Sequence, residues 1–145
     1  MIRSIKGKKI LAATHNQGKL EEITALLEPL NVKVVSAKDL NLPEPDETEE
    51  TFVGNARIKA HAGAKSSGLP SLSDDSGIEI DALDGAPGVY TADWAATPAG
   101  RDFEIAMKKA HSLLDKKNVP FPRTGRFSCT LVLAWPNGED LVFQG

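Results

Sequence analysis

The chain is poor in cysteine, in aromatic residues and in long apolar runs. Cys129 is the only cysteine among its 145 residues. That excludes an intrachain disulfide and a cysteine-based zinc site, and it fits a reducing cytoplasm. With two tryptophans and one tyrosine, Trp94 and Trp135 are expected in the core rather than as base-stacking platforms. No apolar run approaches the roughly 18 residues of a membrane span. The first nine residues carry charge and lead into no long apolar core, so no leader peptide is expected. An excess of positive charge is missing too: 17 Lys and Arg stand against 20 Asp and Glu, a net charge of -3. A mildly acidic chain is a poor candidate for wrapping nucleic acid or coating a membrane, although one local basic cluster is enough to hold an anion.

What is present reads as alternating strands and helices without internal repeats. Lys9 to Thr14 is a short buried strand. Leu20, Ile23, Leu27 and Leu30 then recur on one helix face, with Pro29 limiting the end. Val32 to Val35 is a second strand, and Asp39 to Glu50 an acidic, proline-containing loop. A helix is expected from about Glu50 to Ser67, with Ala56, Ala60 and Ala64 as a close-packing stripe and Gly68 as its cap. Leu69 to Ser73 and Gly77 to Leu83 read as two short strands parted by Asp74, Asp75 and Ser76. Arg101 to Lys117 is helical, with Phe103, Met107, Ala110 and Leu114 on one face. Gly125 to Trp135 is a strand, and Asn137-Gly138 turns it into a closing hairpin. The fold class is therefore α/β or α+β, with a sheet that is not purely parallel.

Three clusters are capable of chemistry. The first is Thr14-His15-Asn16-Gln17-Gly18-Lys19, between strand and helix. A helix N-terminus with a lysine attracts phosphate, and Thr14 and Asn16 add donors. The Walker pattern is excluded, because Leu20 follows the lysine where Ser or Thr is required. An Asn-capped helix with a solvated lysine accounts for the same residues. The second is Asp74-Asp75-Ser76. Adjacent carboxylates beside an apolar strand suit Mg²⁺ and the activation of a water, but also a self-capping turn. On a strand the two would point in different directions. The third is the acidic loop with Glu44 and Glu47, followed by Asn55 and Lys59, which lie four apart on the next helix. The acids are either metal ligands or partners of the helix dipole, and the helix pair a possible donor set for phosphate. His15, His61 and His111 have no spacing for a shared metal, and Arg123 and Arg126 default to solvated arginines.

Taken in order, "THNQGKLEE", "ETEETFVGNARIKA" and "LPSLSDDSGIEIDALDGAPGVYTADWA" resemble the inosine triphosphate pyrophosphatase family (the Ham1/RdgB type), from about Lys9 to Gly145. The resemblance implies an ITPase-like (Maf/Ham1-like) α/β fold: a long curved mixed sheet, flanking helices, and two lobes with a central cleft. It implies Mg²⁺-dependent hydrolysis of ITP, dITP and XTP to the monophosphate and pyrophosphate, in a cytoplasmic homodimer. By the same resemblance Thr14, His15, Asn16, Gln17, Gly18 and Lys19 contact the triphosphate, as does Lys59, and Ser76 touches the substrate. Asp75 matches the metal-linked general base, and Glu47, then Glu44, are the further metal candidates. Asn55 and Asp74 are secondary site residues. The sequence departs from the family pattern at His15, which stands where the family has Gly, and at Glu49 and Gly54, which stand in place of Gly and Glu. The family continues beyond the point matched by Gly145 with base-contacting segments, so residues 1–145 are expected to be one C-terminally incomplete domain. A Maf-type pyrophosphatase and a non-catalytic nucleotide-binding fragment are the competing readings.

Overall fold

A computed structural model describes residue 5 and residues 7–145. Most of the charged start read as lacking a leader, residues 1–4 and 6, lies outside the described residues. In chain order the elements are β1 (Lys9–Ala12), α1 (Gln17–Leu27), β2 (Lys33–Ser36), α2 (Phe52–Ser67) and β3 (Ser71–Ile80). Then come α3 (Thr91–Trp94), β4 (Ala96–Thr97), β5 (Gly100–Arg101), α4 (Phe103–Lys116), β6 (Gly125–Ala134) and β7 (Asp140–Gln144). Five strands form one sheet in the order β2-β1-β3-β6-β7. β1 pairs parallel with β2 and with β3, and β6 pairs antiparallel with β7, so the sheet is mixed. The chain divides into two compact units, Met1–Asp74 with Thr130–Gln144, and Asp75–Cys129 with Gly145.

In the first unit Ile10, Leu11 and Ala12 are fully buried. A strand buried on both faces needs such a continuous apolar run, with helices covering it. α2 supplies one cover. Thr51 caps its start by accepting from the Gly54 N–H at 3.0 Å, and Gly68 ends it in the left-handed region at φ 71°. Ala56, Ala60 and Ala64 form a flat stripe that closes over Val132 and Ala134. Gly63 extends that closeness, since a Cβ there would lie 2.6 Å from Ser71 Oγ and 2.7 Å from Leu11 Cδ2. Gly63→Ala is therefore expected to destabilise the fold by about 1–3 kcal/mol, the usual cost of overpacking. Urea unfolding checks it; an unchanged midpoint would show that α2 shifts freely on the sheet.

Four expectations from the sequence are corrected. α1 begins at Gln17, ahead of the apolar pattern. It ends at Leu27, where a 3₁₀ turn over Glu28–Leu30 leaves Leu30 exposed. The two strands parted by Asp74-Asp75-Ser76 are one continuous strand, β3. Aspartate disfavours strands, but Asp74 has a cationic partner that offsets its burial, as described below. In the second unit α4 starts under an Asp102 cap that accepts from the Glu104 N–H at 3.0 Å. It buries Ala106 and Leu114. Phe103 and Met107 sit one step round the helix and stay exposed rather than facing the core. Arg123 is not solvated: its guanidinium donates to Asp115 Oδ1 at 2.8 Å and to the Val119 carbonyl, and lies 4.2 Å from the Phe121 ring. Trp135 is buried as expected.

Candidate functional site

The loop from Ala13 to Asn16 turns β1 into α1, and its side chains are first used to build that turn. Asn16 Oδ1 accepts from the Lys19 N–H at 3.1 Å, and Thr14 Oγ1 accepts from the Asn16 N–H at 3.1 Å. An α-helix leaves its first N–H groups without intrahelical partners. Here the Leu20 N–H reaches the Asn16 carbonyl and Asn16 caps Lys19, which leaves the N–H groups of Gln17 and Gly18 at the helix mouth for water or an anion. Gln17 Nε2 leans along the helix to Glu21 Oε1 at 3.4 Å. The capped-helix reading of this stretch is locally correct, but the lysine is not solvated. Lys19 Nζ lies 2.8 Å from Asp74 Oδ2, and the Asp74 side chain is only 11% exposed. A buried carboxylate needs such a counter-charge.

A second lysine–carboxylate pair stands in the same unit. Lys59 Nζ lies 2.9 Å from Glu47 Oε1. This joins α2 to the acidic loop, in which Glu44 is exposed. Asn55 does not join Lys59 as a donor for phosphate. It is 1% exposed, and its amide is taken up by the backbone of Glu49, accepting from the N–H at 2.9 Å and donating to the carbonyl at 3.1 Å. Its role is to fix the loop's entry into α2. Hard oxygen donors suit Mg²⁺, and Glu47 already holds one cation, the Lys59 ammonium. Among the described residues no three such side chains cluster as a ready-made cation site, so the loop offers the oxygen chemistry of the Mg²⁺ that the family resemblance implies, with Glu47 engaged by Lys59. Asp75 and Ser76 continue β3 into the second unit, where Asp75 is 7% exposed and Ser76 half-buried.

Two features escaped the sequence reading. Arg57 and His61, four apart on α2, both donate to Asp140 Oδ2, at 3.1 and 2.8 Å. The His61 hydrogen bond first, then Arg57, holds the Asp140 carboxyl below the ordinary carboxylate range, against burial that pushes it up. A carboxyl lowered on folding contributes stability above that range and loses it as pH falls through the folded value. Asp140→Asn is thus expected to lower stability at neutral pH and to flatten the acid side of the stability–pH curve. Urea unfolding at neutral and acid pH checks it, and parallel curves for the two proteins would count against the pairing. The other feature is a pair of buried hydroxyls, Ser71 and Ser73, whose Oγ atoms have no hydrogen-bond partner among the described residues. Both lie on the face of β3 opposite Asp74.

A family model described as the Ham1 family matches residues 10–145. The chain belongs to the Ham1 family. A dITP/XTP pyrophosphatase of Ruegeria pomeroyi is 66% identical over 145 residues, covering all of this chain and 71% of that protein. A dITP/XTP pyrophosphatase of Brucella melitensis is 51% identical over 147 residues, covering 99% of this chain and 67% of that one. Among solved structures, a HAM1 protein from Coxiella burnetii superposes with a TM-score of 0.85 at 34% identity, covering 94% of this chain and 69% of that chain. The Staphylococcus aureus Ham1 protein follows at 0.79 and 32%, covering 95% of this chain and 69% of its own. The Ham1 membership bears out the family resemblance read from the sequence and the mixed α/β fold. The same assignment sets aside the Maf-type reading. Among the described residues no helix is long and apolar enough to cross a membrane.

Proposed function

We propose that this Ham1-family chain is a Mg²⁺-dependent nucleoside triphosphate pyrophosphatase acting on non-standard purine nucleotides. ITP, dITP or XTP would yield the monophosphate and pyrophosphate. The observation that carries this is the Lys19–Asp74 pair at the mouth of α1, in a chain 66% identical to a protein named dITP/XTP pyrophosphatase. A cation beside open helix N–H groups is what a triphosphate requires.

In this reading Lys19 and Lys59 take phosphate oxygens. The Thr14 hydroxyl, the Asn16 amide and the N–H groups of Gln17 and Gly18 orient them, and Ser76 touches the substrate. Glu47, with Glu44 on the same loop, would hold Mg²⁺. When bound, the metal offsets phosphate charge in the transition state. Asp75 takes the proton of the attacking water at its carboxylate. The water oxygen bonds to the α-phosphorus as the bond to the pyrophosphate oxygen breaks. We also read the protein as a cytoplasmic homodimer, which analytical ultracentrifugation tests by mass.

The deciding measurement is product identity from ITP with Mg²⁺, with ATP as control. Pyrophosphate from ITP and little from ATP is the expected result. Orthophosphate in its place would refute the proposed bond choice. Tight binding of ITP without release would favour a nucleotide-binding protein that does not turn over.

A further inference from the structure

His15 lies in the β1–α1 turn, and its ring reaches across 27 residues of sequence. Nε2 lies 3.2 Å from the carbonyl oxygen of Leu42. A carbonyl only accepts, so the ring presents Nε2–H here. Leu42 is itself well placed. Its N–H donates to the Ala37 carbonyl at 2.9 Å, and the Asn41 N–H donates to the Lys38 carbonyl at 3.0 Å. The turn at the start of the acidic loop is thus closed on itself ahead of Glu44 and Glu47. Pro43 and Pro45 then stiffen the next stretch, since each ring fixes its own φ. Glu44 follows two residues after Leu42 and Glu47 five. His15, Leu42, Pro43, Pro45 and Lys59 together line a small cavity of about 70 Å³ in the first unit.

From Leu42 onward the acidic loop is therefore tied down at three described points: Leu42 by His15, Glu47 by Lys59, and Glu49 by Asn55. The three ties differ in kind. The Glu47–Lys59 tie involves the two groups that a metal and a phosphate would each claim. The Asn55 tie sits beyond Glu47, at the entrance to α2. The His15 tie is the one just before Glu44 and Glu47, and it uses a backbone carbonyl rather than a charged side chain.

We propose that His15 is a positioning residue, a clasp that holds the start of the acidic loop against the β1–α1 turn and so keeps Glu47 where a divalent cation needs it. The loop half of this stands on geometry alone. The cation half rests on the reading of Glu47 as a Mg²⁺ ligand. A hydrogen bond of this kind shifts a local equilibrium by a modest factor, roughly fivefold.

Two variants separate the donor from the ring. His15→Phe keeps the ring and removes the donor, and His15→Gln keeps a donor of similar reach. Backbone hydrogen exchange between Glu44 and Glu50 is measured first, in the absence of nucleotide. His15→Phe is expected to speed it roughly fivefold, while His15→Gln stays near the parent. The Mg²⁺ concentration for half-maximal pyrophosphate release from ITP is measured second, and it is expected to rise in His15→Phe by a similar factor and to be restored by Gln. Unchanged exchange in His15→Phe, or equal acceleration in both variants, overturns the clasp. Faster exchange with an unmoved Mg²⁺ requirement overturns the positioning of Glu47. A raised KM for ITP with unchanged exchange makes His15 a direct phosphate contact and refutes the clasp. If the parent protein releases no pyrophosphate, the proposed function falls, and the exchange comparison still decides the clasp by itself.

Discussion

Asp75→Asn is expected to lower kcat for ITP by at least about a hundredfold, the lower end of what a positioned general base contributes, while the far-ultraviolet circular dichroism and the thermal midpoint stay near those of the parent. Asparagine keeps the shape of the side chain, and a neutral amide removes the proton acceptor. The position is buried on a long central strand, so a change in shape would register as lost stability, whereas a change in charge alone should register in catalysis. Undiminished turnover would take Asp75 out of the proton transfer and move attention to the other carboxylates of the proposed site.

Lys19→Met should have two effects that a second substitution can separate. The first is on stability. The ammonium leaves Asp74 Oδ2 without its 2.8 Å partner, in a side chain only 11% exposed. Breaking a fully buried pair costs about 3–5 kcal/mol, but the Lys19 side chain is a third exposed. Solvent screening brings the expected loss to about 1–2 kcal/mol. The second effect is on substrate. Losing a charge-assisted contact to phosphate should lower kcat/KM by about tenfold to a hundredfold, corresponding to 1.5–3 kcal/mol. Adding Asp74→Asn removes the stranded carboxylate, so the double variant should recover stability and not kcat/KM. Recovery of both would leave Lys19 a purely structural role.

The extent to which the sequence announced this protein follows from how local each signal is. The helix over Phe52–Ser67 was legible because its alanine stripe lies within its own residues and its capping glycine, Gly68, follows directly. The closing hairpin was legible for the same reason, through Asn137-Gly138 between two apolar runs. β3 was misread because three polar residues interrupt it, and the partner that offsets the burial of Asp74 there, Lys19, is more than fifty residues away. α4 was misread in its first two turns, where Phe103 and Met107 fit a helix face as well as the buried Ala106 does, while Leu114 is buried as expected. At the candidate site, lysines and carboxylates could be named as residue types but not as pairs. Nothing in the spacing joins Lys59 to Glu47 or separates Asn55 from its neighbour Lys59. Asn55 was placed with the ligand donors because polar residues on one helix face look alike until burial divides them.

The continuity of β3 carries one more consequence. Neighbouring residues of a strand face opposite ways, so Asp74 shares a face with Leu72 and Ser76, whereas Asp75 shares one with Ser71 and Ser73. Two carboxylates that touch in sequence are thereby kept on opposite faces by nothing more than the parity of their positions. Deleting a single residue between Ser71 and Asp74 would invert that parity for every residue on one side of the gap. The segment can vary in side chain, but not in length.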